Sequence, residues 1–243
     1  MALSQFGTFE AIVIPVLFFP STILCALSGI LITEAARATA ANNQAHLQRL
    51  TKAVIQKTLQ LSIFIAAGLL LYGNLIGTLL DGGALAGYLI RLLAPVVPFI
   101  YLEIVLEALL KGMGQQSFSS LNYLAEYTIR IAIVLVCIPK FGFYGIVLSY
   151  YASNVCGNCF RLWKTCKTAR IRFSFWSDVG FPLFAAALAF QVPLCGLRLL
   201  HGMQFVWICL LPAILIDYAL LKSYGKITAI PLLSKKQHAC SSA

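Results

Sequence analysis

LLAPVVPFIYLEIVLEALLKGMGQQSFSSLNYLAEYTIRIAIVLVCIPKFGFYGIVLSYYASN, residues 92–154, decides the fold. Two apolar runs, 88–110 and 118–138, are each close to the roughly 20 residues that carry a helix through a bilayer core. The short turn Gly112-Met113-Gly114-Gln115-Gln116-Ser117 joins them, and a third run opens at residue 142, just past Pro139-Lys140-Phe141. Inside the pair sit Glu103, Glu107, Glu126 and Arg130. A charge at the centre of a spanning helix costs about 2.5–3.5 kcal/mol on insertion scales, so these four need partners or water. Folding the hairpin about its turn sets Glu103 level with Glu126 and Glu107 level with Asn122. Arg130 lies one turn beyond Glu126. Glu103 and Glu107 share a face at i,i+4, as do Glu126 and Arg130.

The candidate site is therefore an intramembrane polar cluster of Glu103, Asn122, Glu126 and Arg130. Two readings stay open. A cation- or proton-coupled, water-filled cavity would use one acid with a raised affinity for protons. A hydrogen-bonded clamp between two helices would use the same residues structurally. Glu107 reaches Lys111 most simply, near the interface.

Outward from this hairpin the pattern repeats. Spans are expected at about 11–32, 59–80, 88–110, 118–138, 142–162, 178–197 and 203–222, giving an all-α integral membrane protein of about seven transmembrane helices, one membrane domain over 1–243. The composition agrees: 60% of the 243 residues are hydrophobic and 11% charged, too little polar surface for a soluble domain of this length. Proline recurs within spans, at Pro15, Pro20, Pro95 and Pro98 among others. It is tolerated there when neighbours satisfy the freed carbonyls, and it predicts bent helices.

The formal net charge of +10 does not point to nucleic acid, because the basic residues fall in short stretches between apolar runs. Fourteen Lys and Arg lie in the stretches on one side, including Arg49, Lys52, Arg161, Lys167 and Arg170, against Arg91, Lys140 and Arg198 on the other. By the positive-inside rule the N-terminus is expected outside and the C-terminus in the cytoplasm. Residues 42–58 read as an amphipathic cytoplasmic helix running into the second span, capped by Asn42 or Asn43. Gly73 with Gly77, and Gly145, Ser149, Ser153 and Gly157, form small-residue ridges that let another helix approach closely.

Eight cysteines are scattered. The Cys156/Cys159 pair lacks the neighbouring His or acid that a metal site needs. No nucleophile elbow, zinc-protease motif or phosphate loop is present. No enzyme, metal or cofactor is expected.

Particular residues then resemble a known family. Residues 15–53 contain Phe19-Pro20 and Thr33-Glu34-Ala35 followed by a basic amphipathic link. Residues 92–154 contain Pro98, Leu110-Lys111-Gly112-Met113-Gly114-Gln115, Asn122, Arg130, and the turn from Pro139-Lys140-Phe141-Gly142 to Gly145. Both stretches resemble the C-terminal half of SpoVB-type (stage V sporulation protein B) flippases, in the superfamily of multidrug and oligosaccharidyl-lipid exporters (MOP, MATE-like). The resemblance covers residues 6–165 well and the remainder loosely. It implies one lobe of a two-lobe fold, sited in the cytoplasmic membrane and used in cell-wall or polysaccharide synthesis or sporulation. A lipid-linked glycan would cross by alternating access, along a cavity lined by parts of spans one and two.

The N-terminal lobe of that family has no counterpart here, so a partner lobe on another chain or in a homodimer is expected, besides membrane lipids. A lone lobe should show a concave face formed by its first helices, more polar than its lipid-facing back, and no enclosed channel. The alternatives are a multidrug/cation antiporter lobe, a non-transporting membrane fragment or scaffold, and a receptor-like seven-helix bundle.

Overall fold

The computed structural model describes residues 2–171 and Gly180. The chain divides into two compact units, Met1–Asp178 and Val179–Ala243, and the helices below belong to the first. The expected spans 178–197 and 203–222, with the basic tail after them, lie outside the described residues.

Among the described residues every regular element is helical. Five rods follow one another: α1 (Gln5–Ala40), α2 (Gln44–Leu79), α3 (Gly83–Gly112), α4 (Gln116–Phe141) and α5 (Tyr144–Ala169). The first four are long and apolar enough to cross a membrane. At 26 residues α5 matches α4 in length, but Arg161, Lys164 and Lys167 make it more polar. The rods overrun the apolar runs at most ends, because a helix does not stop where its hydropathy does. The amphipathic segment 42–58 and the span 59–80 are one uninterrupted helix of 36 residues. Its start is fixed by Asn43, whose Oδ1 accepts from the His46 backbone N–H at 3.0 Å. Asn42 turns the chain with a positive φ of 50°, a conformation asparagine tolerates better than most residues.

The prolines accompany interruptions of the α-helical pattern in α1 and α3. A π-turn (Phe9–Val13) precedes Pro15, and a 3₁₀ turn (Phe19–Ser21) contains Pro20. In α3 a 3₁₀ turn spans Ala94–Val96 around Pro95. A 3₁₀ turn offers each carbonyl the N–H three residues on, and proline has none. The carbonyls of Leu17 and Leu92, each three residues before a proline, are the ones left short. Both are rescued from another helix. The Tyr101 hydroxyl donates to the Leu17 carbonyl at 3.1 Å, and the Tyr151 hydroxyl donates to the Leu92 carbonyl. Away from water such a carbonyl has no other source of a proton.

The second half of α3 is the centre of the bundle. Tyr101, Val105, Leu106, Leu109 and Leu110 are all fully buried, and α1, α2, α4 and α5 all pack on this segment. Glycine lets helices cross closely, at Gly77 and Gly112 above all. A Cβ on Gly77 would lie 2.3 Å from the Gly87 nitrogen, and one on Gly112 would lie 2.6 Å from both the Ala35 Cβ and the Ile32 carbonyl. The first ties α2 to the start of α3 and the second ties the end of α3 to α1. The ridge Gly145, Ser149, Ser153 and Gly157 is buried along α5, on the helix most extensively packed against α4. The opposite face of α4 is bare and apolar: Leu121, Leu124 and Leu135 are 66–70% exposed, as expected of a surface whose solvent is hydrocarbon.

Candidate functional site

Charge gathers where α3, α4 and α5 meet. Its centre is Arg161 of α5, the largest fully buried side chain among the described residues. Its Nη1 lies 2.9 Å from Glu126 Oε2, its Nη2 3.3 Å from Glu103 Oε1, and its Nε 3.9 Å from Glu107 Oε2. The guanidinium carbon stands 4.4 Å from the centre of the Tyr123 ring, a cation–π contact that gains strength when desolvated. None of the three Arg161 nitrogens, nor Glu126 Oε2, meets its partner with aligned hydrogen-bond geometry. The attraction is therefore charge against charge and ring face, not the bidentate fork an arginine can make.

The surrounding groups complete the balance. Arg130 Nη2 lies 3.4 Å from Glu126 Oε1, its Nε donates to Ser153 Oγ at 3.0 Å, and its guanidinium carbon is 4.5 Å from the Tyr150 ring centre. Lys111 Nζ lies 3.0 Å from Glu107 Oε1, and the Ser119 hydroxyl donates to Glu107 Oε2. Asn122 Nδ2 donates to the Gly157 carbonyl at 3.3 Å. Three carboxylates thus face three cations. Gly157 makes room for the centre: a Cβ there would sit 2.4 Å from Glu126 Oε2 and 3.0 Å from Arg161 Nη1.

Of the residues expected from sequence, Glu126 and Arg130 are brought together directly. Glu103 and Glu126 converge on one guanidinium, and Asn122 bonds to α5 instead of to the Glu107 carboxyl. The organising residue, Arg161, reads in sequence as a loop charge that sets orientation. Its signal was present: it stands four residues after Gly157, and so continues the stripe Gly145, Ser149, Ser153, Gly157 onto the same helix face.

A second feature lies on the other side of α3. Between the halves of α1 and α2 next to their turn lies an open groove of about 340 Å³, with Val105 of α3 in its lining. The first helices were expected to present a concave face richer in polar groups than the back. The face they form is instead apolar, with Lys57 and Thr58 its polar members. The reason is the register of α2: Ala53, Val54, Lys57, Thr58 and Leu61 share one side, and most of its other polar residues turn away. Among the described residues no three His, Cys, Asp or Glu side chains gather as a metal-holding group.

The chain matches no protein-family model, no curated protein and no solved structure.

Proposed function

We propose that this chain is the C-terminal lobe of a membrane flippase, oriented with the start of α1 outside and the α1–α2 turn in the cytoplasm. Its cargo is a lipid-linked glycan, a peptidoglycan or polysaccharide precursor, moved across the cytoplasmic membrane by alternating access. A second lobe, from another chain or a second copy, supplies the opposite wall of the path. The observation that carries this reading is the Arg161 cluster. Alternating access moves one helical body against another around a fixed site, and such a body must not shear internally. A guanidinium bound to carboxylates on two neighbouring helices pins α3, α4 and α5 to one another at a single depth.

The cluster's balance also supports this reading over an ion-coupled antiporter lobe. A coupling carboxylate must be free to take up its ion. Glu103, Glu107 and Glu126 each already face a cation, which favours the clamp over the carrier.

The test is reconstitution in liposomes with a fluorescent lipid-linked sugar. The chain alone should not flip it. Adding a seven-helix N-terminal lobe of the SpoVB type should restore saturable flipping. Specific flipping by a demonstrated monomer would refute the two-lobe requirement. Absence of flipping with either partner arrangement, in a correctly folded sample, would leave a scaffold and refute transport.

A further inference from the structure

We infer that the α1–α2 groove is a binding site for one anionic phospholipid of the surrounding bilayer, with an acyl chain along the groove and the phosphate at Lys57. The inference goes beyond transport and stands whether or not the chain is a flippase.

The groove has a built form. Leu24, Thr58 and Val105 are buried at its base, while Leu27 and Ile30 on α1 and Leu61 on α2 stand exposed along its rims. Its walls run from Ile23 to Leu31 and from Ala53 to Leu61, about 12 Å at 1.5 Å per residue. That shape suits a single hydrocarbon chain lying along the helices, and the lining gives that chain nothing to hydrogen-bond until it meets Lys57 and Thr58.

The charge chooses the head group. Among the described residues Lys57 is the only charged one lining the groove, and it makes no ion pair with any of them. Side chains on a helix lean toward its N-terminus, so the ammonium of Lys57 is carried toward the α1–α2 turn. Lys52 and Arg49 lie nearer the turn on other faces of α2 and do not line the groove, which leaves Lys57 as its cation. The acid at this end, Glu34, is already engaged by His46 at 2.8 Å and Arg37 at 3.9 Å. Among the described residues Lys57 is therefore a cation without an ion pair, leaning toward the end of the groove nearest the turn, and the groove's length is apolar. An anionic amphiphile is the chemistry that answers both. A phospholipid fits it better than a soluble anion, which would leave the apolar length empty.

The experiment is native mass spectrometry of the full chain in detergent, titrated separately with phosphatidylglycerol and phosphatidylcholine of equal chain length. Wild type should retain phosphatidylglycerol about fivefold more than phosphatidylcholine, the effect of one lysine near an anionic head group. Lys57→Gln should bring the two to parity, and Lys57→Arg should keep the preference. Leu27→Trp, which fills the groove from its exposed rim, should reduce retention of both. A preference unchanged in Lys57→Gln would overturn the site, since Lys57 is exposed and its loss threatens no core. Retention of polyprenyl phosphate with no retention of phosphatidylglycerol would overturn the choice of occupant.

Discussion

Replacing Arg161 with Met removes a cation shared by α3, α4 and α5, and the structure says where the cost falls. Glu107 keeps Lys111 at 3.0 Å and the Ser119 hydroxyl. Glu126 keeps Arg130 at 3.4 Å. Glu103 loses the only ion pair it has among the described residues, with 19% of its side chain exposed. Breaking a buried pair by removing one partner costs about 3–5 kcal/mol, most of it the uncompensated charge left behind. Glu103 is not wholly buried and two of the three acids keep a cation, so the lower end, about 3 kcal/mol, is expected. The double variant Arg161→Met/Glu103→Gln removes the orphaned charge and should recover about 2 kcal/mol, since balanced removal of a buried pair is often near neutral. The assay is reversible unfolding in mixed detergent–SDS micelles, followed by tryptophan fluorescence. A single variant within 0.5 kcal/mol of wild type, or a double variant no more stable than the single, refutes the assignment of Arg161 as the centre.

Three further outcomes are expected. Gly157→Ala drives a Cβ to 2.4 Å from Glu126 Oε2 and should destabilise by about 1–3 kcal/mol in the same assay, with the loss reduced in a Glu126→Gln background. Tyr101→Phe leaves the Leu17 carbonyl without its donor and should cost about 1–3 kcal/mol; faster amide exchange around residues 17–22 than at the α4–α5 contact would localise it. Lys167→Cys and Arg170→Cys, in a chain with its native thiols removed, should react with an impermeant maleimide only after the membrane is opened, and labelling in intact cells would reverse the orientation.

The long elements were legible because hydropathy and length act on whole segments. The run 118–138 sits inside α4, and 88–110 sits inside α3, because a helix is the only open-chain structure that satisfies its own backbone in hydrocarbon. The sites of the 3₁₀ turns were legible as prolines, but their partners were not: nothing local links Tyr101 to Leu17 or Tyr151 to Leu92, which lie 84 and 59 residues apart. Matched depth across the α3–α4 turn was enough to group Glu103 with Glu126. It was not enough to find Arg161, because hairpin geometry reaches only adjacent helices and says nothing of a third. Charge counting also works against it, since an arginine near the end of an apolar run is assigned to the loop by default. The apolar groove was missed for a different reason. Its lining comes from three helices, and which side of α1 faces α3 follows from the close approach at Gly112, a contact no pattern within α1 announces.

The Arg161 cluster also imposes an order on the making of the protein. The ribosome delivers Glu103 and Glu126 first and Arg161 about 35 residues after Glu126, a delay of roughly 2–7 s at 5–20 residues per second. During that interval the cluster's part of the α3–α4 hairpin carries three acids, Glu103, Glu107 and Glu126, against two cations, Lys111 and Arg130, and has no α5 to dock. Its release from the insertion machinery into lipid is then opposed by uncompensated charge, and the arrival of α5 removes the opposition. A chain ending before Arg161 should therefore linger at the translocon and be degraded, while one ending just after α5 should accumulate. The same residue that locks the finished helices together would serve, during synthesis, as the signal that they are ready to leave.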